Sequence, residues 1–216
     1  MQKNCNTTVY KEELRQRILS VSMALFKKKG IKQVRMDDIA TVLGISKRTL
    51  YELYGNKEDL LYEGVKEDQK HFFEKLANFA DHANNEMEVI VYFVKLKLQD
   101  FSIVNPLFFS ELHKYKRIVE LMKVDHDRQQ CRSENFIRLA LEHGFLRKDI
   151  NFALVSRFGE VCMDYVLREQ VYKEYSMTEI FRTHIKLFMG ACCTEKGIRY
   201  IDDFFNKNMS MTNSNQ

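Results

Sequence analysis

MDDIATVLGISKRTLYELY, residues 36–54, is the stretch whose reading decides the fold. Its apolar positions are Ile39, Ala40, Leu43, Ile45 and Leu50; Gly44 interrupts the pattern and Ser46 restarts it. A glycine readily takes the left-handed conformation that ends a helix, and a serine hydroxyl accepts from an amide of the next turn. The stretch therefore predicts two short helices about one turn, the second starting at Lys47, with Ala40 small enough for a close crossing. Lys47, Arg48, Thr49, Tyr51 and Glu52 then point outward from the second helix. Lys47 and Arg48 lie where the helix dipole is already positive, which costs folding stability. Like charge left uncompensated there implies an anionic partner. A helix-turn-helix with a cationic second helix is a reader of the DNA major groove.

Ala-x-x-x-Gly spacing also occurs in helical proteins that bind no DNA, so the flanks matter. Upstream, Leu14, Ile18, Val21, Leu25 and Phe26 recur at helical spacing across residues 11–29, and Gly30 after Lys27, Lys28 and Lys29 is a stop signal. Downstream, Gly55 breaks the chain and Asn56 caps a fourth helix with Glu58 and Asp59 in its first turn. Lys57 at that start, together with unpaired backbone amides, is placed to clamp a phosphate.

Ile18-Leu19, Leu25-Phe26, Gly30, Asp38-Ile39-Ala40, Gly44-Ile45-Ser46-Lys47, Thr49-Leu50-Tyr51 and Asn56-Lys57-Glu58-Asp59-Leu60-Leu61 form one ungapped pattern over residues 14–61. With these residues the chain resembles the TetR (tetracycline-repressor-like) family of bacterial transcription regulators. A weaker likeness lies at residues 144–149, 188–190 and 195–197. The resemblance implies Thr49, Tyr51 and Lys57 as phosphate contacts, with Ser46 capping the reading helix and Lys47 and Arg48 as base readers. Arginine or lysine to guanine is the commonest specific major-groove contact. Family members usually carry threonine or serine just before the second helix, whereas this chain has Arg35-Met36. Arginine cannot cap, so Asp37 and Asp38 are expected to compensate through the dipole while Arg35 takes the phosphate role. Arg48 replaces a residue that is usually small, so it reaches further into the groove.

Composition agrees with this reading. The 216 residues are 45% hydrophobic and carry a net charge of +4. Residues 1–66 hold 13 Lys and Arg against 8 Asp and Glu, so the positive excess lies with the helix-turn-helix. One proline, eight glycines and no useful run of alternating polarity predict an all-α protein. The longest apolar run, Val89 to Val94, is far short of the ~20 residues of a membrane helix. With no signal-peptide pattern at the charged start, a cytoplasmic location is expected. Cys5, Cys131, Cys162, Cys192 and Cys193 contain no C-x-x-C pair, and no disulfide framework, metal site or cofactor is expected. His71, His82, His113, His126, His143 and His184 include no H-E-x-x-H pair. No phosphate-cradling glycine loop or nucleophile elbow is present, so the chain does not read as an enzyme.

Past the head, the pattern predicts a fourth helix to about Ala80, a fifth from Glu86 to Phe101, a sixth opened by Pro106 and a seventh from Arg117 to His143. An eighth follows Asp149 as cap and runs to Tyr172. A ninth starts at the box Ser176-x-x-Glu179 and ends near Cys193, and an amphipathic turn covers Ile198 to Phe205. The expected architecture is a DNA-binding head (1–56), a larger helical effector and dimerisation domain (57–205) and a disordered tail (206–216), about nine to ten helices in all. Most of the phenylalanines in helices four to seven are expected in the core. The resemblance places an effector pocket there, with Phe73, Phe93, Phe108, Phe109, His113, Met122 and Phe136 as lining for a small apolar or aromatic molecule. It also places a four-helix homodimer interface on helices eight and nine, with Phe158, Cys162, Tyr165, Phe181, His184 and Phe188. The implied function is a ligand-responsive repressor, released from a palindromic operator when the effector binds. A helical interaction or small-molecule-binding module without sequence-specific DNA binding is the alternative.

Overall fold

The computed structural model describes the backbone of residues 2–212 and the side chains of residues 9–123 and 134–206. Cys5, His126 and Cys131 lie outside the described side chains. Ten α-helices follow in order: α1 (Gln2–Lys29), α2 (Met36–Leu43), α3 (Lys47–Tyr54), α4 (Lys57–Ala80), α5 (Glu86–Ile103), α6 (Pro106–Leu112), α7 (Lys116–Glu142), α8 (Phe152–Arg168), α9 (Met177–Cys192) and α10 (Glu195–Thr212). One 3-10 turn covers Val171–Lys173. Among the described residues the one β-type pairing is an isolated bridge of Leu146 with Cys193, and the protein is all-α. No helix among them is long and apolar enough to cross a membrane.

Three boundaries differ from expectation, each for a local reason. The cap of α8 is Asn151, whose side chain accepts from the Leu154 amide at 3.1 Å; Asp149 is held by Arg147 at 2.7 Å instead. That helix stops at Arg168 rather than Tyr172 because Gln170 takes a left-handed φ of 58°. The segment expected as a disordered tail is helical as far as Thr212. Between Ile198 and Thr212 there is no glycine or proline to stop helix propagation, and residues 213–216 lie outside the described residues.

The chain forms two compact units, and their division does not fall at residue 56. The first comprises residues 1–72 and 103–123, the second 73–102 and 124–216. The first unit thus takes in most of α4, all of α6 and the start of α7. Its core joins Ile18 and Phe26 of α1, Ile39 of α2, Leu50 of α3, Leu60 and Leu61 of α4, Phe108 and Leu112 of α6 and Ile118 of α7. Polar contacts explain why α6 belongs here. The Asn105 amide donates to the Lys27 carbonyl at 2.8 Å, covering the open C-terminal end of α1. The buried Glu111 carboxylate accepts the Lys32 amide at 2.7 Å in the turn after α1. Arg117 pairs with Asp59 at 2.5 Å and lies over the Tyr62 ring.

α3 is fastened to α1 by contacts at its C-terminal end. Arg15 donates to the Leu53 carbonyl at 2.8 Å, its guanidinium 4.7 Å from the centroid of the Tyr54 ring. The Tyr54 hydroxyl in turn donates to the Arg15 carbonyl at 2.9 Å. Burial holds this phenol in its neutral form and pushes its pKa up to about 12.

The second unit has its own core, with Met87 and Val94 of α5, Ala140 of α7, Phe181 and Ile185 of α9, and Ile201 and Phe205 of α10 around Phe145 and Leu146. The Thr194 amide donates to the Phe145 carbonyl at 2.9 Å, and the Arg147 amide to the Cys192 carbonyl at 2.9 Å, so the α7–α8 connection seats the start of α10. His143 Nδ1 lies 2.9 Å from the buried Glu86 carboxylate, joining the end of α7 to the start of α5.

The Tyr54 contact predicts a pH signature. A phenol with a raised pKa when folded releases its proton first from the unfolded chain, near pH 10. Its stabilisation is therefore complete below pH 10 and is lost as pH rises towards 12. Denaturant melts should show a loss of stability across that window that is shallower in Tyr54→Phe. At pH 7 this variant should lose ~1 kcal/mol, the usual worth of one hydrogen bond.

Candidate nucleic-acid interface

Gly44 ends α2 with a φ of 66°, and its amide returns to the Ala40 and Thr41 carbonyls. The chain then extends through Ser46, whose Oγ accepts the Thr49 amide at 3.1 Å. The Thr49 hydroxyl lies 2.9 Å from the same Oγ. Leu50 and Tyr54 are the buried residues of α3, so its remaining face is directed outward. Lys47, Arg48 and Tyr51 are exposed there, as the outward spacing from Ser46 predicts.

The two cations at the helix start are held differently. Lys47 Nζ reaches back to Asp37 of α2 at 2.5 Å. Arg48 stays on its own helix and is 88% exposed, its Nε donating to Glu52 at 2.7 Å. Neither partnership was anticipated; the i, i+4 spacing of Arg48 and Glu52 would have revealed one of them. At the start of α2, Arg35 occupies the capping position without a capping side-chain bond, as a guanidinium has no acceptor. Its own amide is accepted by Asp38 Oδ2 at 2.8 Å, so Asp38 supports this helix start by a hydrogen bond as well as through the dipole. Arg35 itself is exposed.

Asn56 caps α4, accepting the Asp59 amide at 2.9 Å and donating to the Asp59 carboxylate at 2.7 Å. Asp59 is thereby taken up within the first unit. Lys57 is half-buried, its ammonium 5.8 Å from the centroid of the Phe26 ring. Burial lowers its pKa, opposed by the nearby Glu111 and Asp38 carboxylates.

The residues expected to line an effector pocket are distributed over both units. Phe108 is a core residue of the first unit and Phe109 packs against that core, edge to face with Phe108 at 5.6 Å. His113 and Met122 are exposed in the same unit. Phe73, Phe93 and Phe136 belong to the second unit, where Phe93 packs on the core. Phe108 and Phe109 thus help to build the core of the first unit, to which the segment that carries them belongs. In the second unit an open cavity of about 450 Å³ is lined by Phe79, Val91, Tyr92, Tyr200 and Phe204 with Glu88, Lys95 and Asp203. None of the seven expected residues lines it. Phe79 and Tyr92 stack there with centroids 4.0 Å apart.

The residues expected at a dimer interface also separate. Phe181 is buried against Phe101 in the second core and is no surface residue. His184 is half-buried; its ring stacks with Phe181, is tilted against Phe188 and lies about 3.3 Å from where a Cβ on Gly159 would stand, and burial lowers its pKa. By contrast α8 has no buried residue. Leu154, Phe158, Val161 and Tyr165 are exposed along it, each at least 46% accessible, and Leu187 of α9 is 66% exposed.

A family model described as bacterial regulatory proteins of the TetR family matches residues 18–63, spanning α2, α3 and the start of α4. An HTH-type transcriptional regulator of Staphylococcus aureus strain bovine RF122 is 32% identical over 130 residues, which cover 53% of this chain and 70% of that protein. A regulator of the same description from strain USA300 is 33% identical over 131 residues, covering 54% and 71%. Among solved structures, a transcriptional regulator from Saccharomonospora viridis in complex with choline shares the fold with a TM-score of 0.69 and 23% identity, over 85% of this chain and all of that one. The fatty acid degradation regulator FadR from Bacillus halodurans shares it with a TM-score of 0.60 and 20% identity, over 82% and 94%. These relatives are transcription regulators and not enzymes. On the shared helix-turn-helix and the length over which these relatives align, the chain belongs to the TetR family of helix-turn-helix transcriptional regulators.

Proposed function

We propose that the protein is a ligand-responsive repressor that binds a palindromic operator as a homodimer. The observation that carries this reading is the exposed cationic start of α3, its charge offset only in part by the surface pairs of Lys47 with Asp37 and Arg48 with Glu52, set on a unit whose core and polar contacts leave that face directed outward. Arg48 is the principal base reader. Ser46, Thr49 and Tyr51 lie around the helix start at positions suited to phosphate, and Arg35 is the corresponding contact from α2. Lys47 must leave Asp37 to reach DNA, and Lys57 must leave Phe26, so both are assigned to phosphate rather than to base edges.

The exposed apolar stripe of α8 supports the dimer. Leu154, Phe158, Val161 and Tyr165 recur at i, i+4, i+7 and i+11, one face of a helix, and a monomer that leaves such a face in water is unusual. The interface assigned to this chain therefore keeps Phe158, Cys162, Tyr165 and Phe188 and gains Leu154, Val161 and Leu187. Two-fold pairing would present two reading helices to half-sites ~34 Å apart.

The effector is assigned to the cavity in the second unit, whose aromatic walls and charged rim suit a small amphipathic molecule. A neighbour of the same fold is in complex with choline, a small molecule with a charged head of the size such a cavity admits. α4 runs without interruption from Lys57 to Ala80 and contributes to both units. A ligand in this cavity meets the Phe79 end of the helix that begins at Lys57. The alternative, a helical module that has kept the head but reads no sequence, is disfavoured by the presence of Arg48.

At its preferred duplex, Arg48→Ala should cost about 1 to 3 kcal/mol and relax selection at one position, whereas Lys57→Ala should weaken all duplexes alike and reduce the salt slope by about 1. Equal small effects of Arg48→Ala on preferred and random DNA would refute the base-reader role. Phe158→Glu should convert a dimer into a monomer in light scattering at micromolar concentration and weaken operator binding; a monomeric parent protein would contradict the dimer. Tyr92→Ala should abolish operator release by any apolar or amphipathic compound that releases the parent protein, and an unchanged release would place the effector elsewhere.

A further inference from the structure

Glu52 is an odd residue for a surface that approaches a polyanion. Its carboxylate is 61% exposed one turn beyond Arg48, on the outward side of α3. As a helix stabiliser it is poorly chosen. The pair runs with the cation N-terminal, the weaker of the two orientations for an i, i+4 ion pair, and an exposed pair of this kind adds little to stability. Beside phosphates its charge works against binding. Its geometry nevertheless constrains Arg48, an interface cation whose side chain is 88% exposed.

The Glu52 Oε1 atom accepts from Nε of Arg48 at 2.7 Å. Among the described residues, Nη1 and Nη2 of Arg48 have no partner. A guanidinium is a planar fork of five donors, so fixing Nε fixes the plane and leaves the two terminal nitrogens as a ready pair. That pair matches the O6 and N7 acceptors that guanine presents in the major groove. Lys47, the other cation at this helix start, is drawn back to Asp37 and carries no comparable fork. Glu52 lies about 6 Å further along the helix, a distance that brings it to a neighbouring base pair. There an ionised carboxylate accepts from the amino group of cytosine and is repelled by the acceptor edge of guanine or thymine.

We propose that Glu52 is a specificity-determining residue of the DNA interface, orienting Arg48 for a two-bond guanine contact and selecting against acceptor edges at the adjacent base pair, at the expense of overall DNA affinity. The inference rests on the DNA-binding reading given above. It separates two effects that a merely structural residue would keep together: removing Glu52 should raise affinity for DNA in general while lowering discrimination.

The test uses the full-length protein and its Glu52→Gln and Glu52→Ala variants, with circular dichroism to verify folding. Affinities are measured for the duplex the parent prefers, for the same duplex with 7-deazaguanine at the guanine whose replacement matters in Arg48→Ala, and for a random duplex. Both variants should bind the random duplex several-fold more tightly. The ratio of preferred to random affinity should fall roughly tenfold, as loss of one specific base contact does, and the penalty for 7-deazaguanine should shrink. In an Arg48→Ala background, Glu52→Gln should leave the guanine preference unchanged. A variant that keeps the parent's ratio, or that weakens both duplexes equally, would overturn the assignment of Glu52. A parent protein that prefers no duplex at all would overturn the DNA-binding reading, and the inference with it.

Discussion

Two cations at the first turn of a helix work against that helix, and the first unit is built so that they stay there. Its reading helix has eight residues, too few to be stable in isolation. What holds it is the packing of Leu50 and Tyr54 into a core shared with α1, α2, α4 and α6, together with the Ser46 hydroxyl at its start and the Arg15–Tyr54 contacts at its end. The unfavourable charge placement is tolerated because so much of the surrounding structure opposes its relaxation. Asp37 and Glu52 offset it only in part, each engaging one cation through an exposed ion pair.

The first unit is closed by segments that lie far from α3 in sequence. α6 covers the end of α1 through Asn105, and Glu111 ties it to the following turn. The start of α7 is pinned to α4 by Arg117 and Asp59. A segment that comes 50 residues after the reading helix in sequence is therefore an integral piece of the head. Leu60 and Leu61 of α4, Phe108 and Leu112 of α6 and Ile118 of α7 share one core with Leu50 and Tyr54 of α3.

Much of this was legible in the sequence, and for definite reasons. Gly44 and Ser46 act through local rules of backbone conformation and capping, so the turn and the start of α3 could be read residue by residue. Pro106 and Gly144 marked helix ends in the same way. Contacts between residues far apart in sequence were not legible. Nothing near Phe108 or Phe109 reveals that they pack on the core of the first unit, because that depends on Asn105 meeting the end of α1 and Glu111 meeting the turn after it. Phe181 was likewise indistinguishable by spacing from the exposed Phe158; both sit on amphipathic helices, and only the packing of α5 and α10 decides which face is covered. Asn151 and Asp149 are equally good caps by residue type, and only the engagement of Asp149 by Arg147 and of Asn151 by the Leu154 amide separates them.

The central claim is that an outward, cationic helix start is presented twice, by a paired scaffold, to one duplex. Selection of bound sequences from a random pool, with no small molecule present, tests this most directly. The account predicts recovery of a two-fold symmetric sequence with a guanine in each half-site and half-sites about one helical turn apart, held with an affinity that falls steeply as salt is raised. Recovery of no enriched sequence, with no salt-sensitive binding to any duplex, would contradict it.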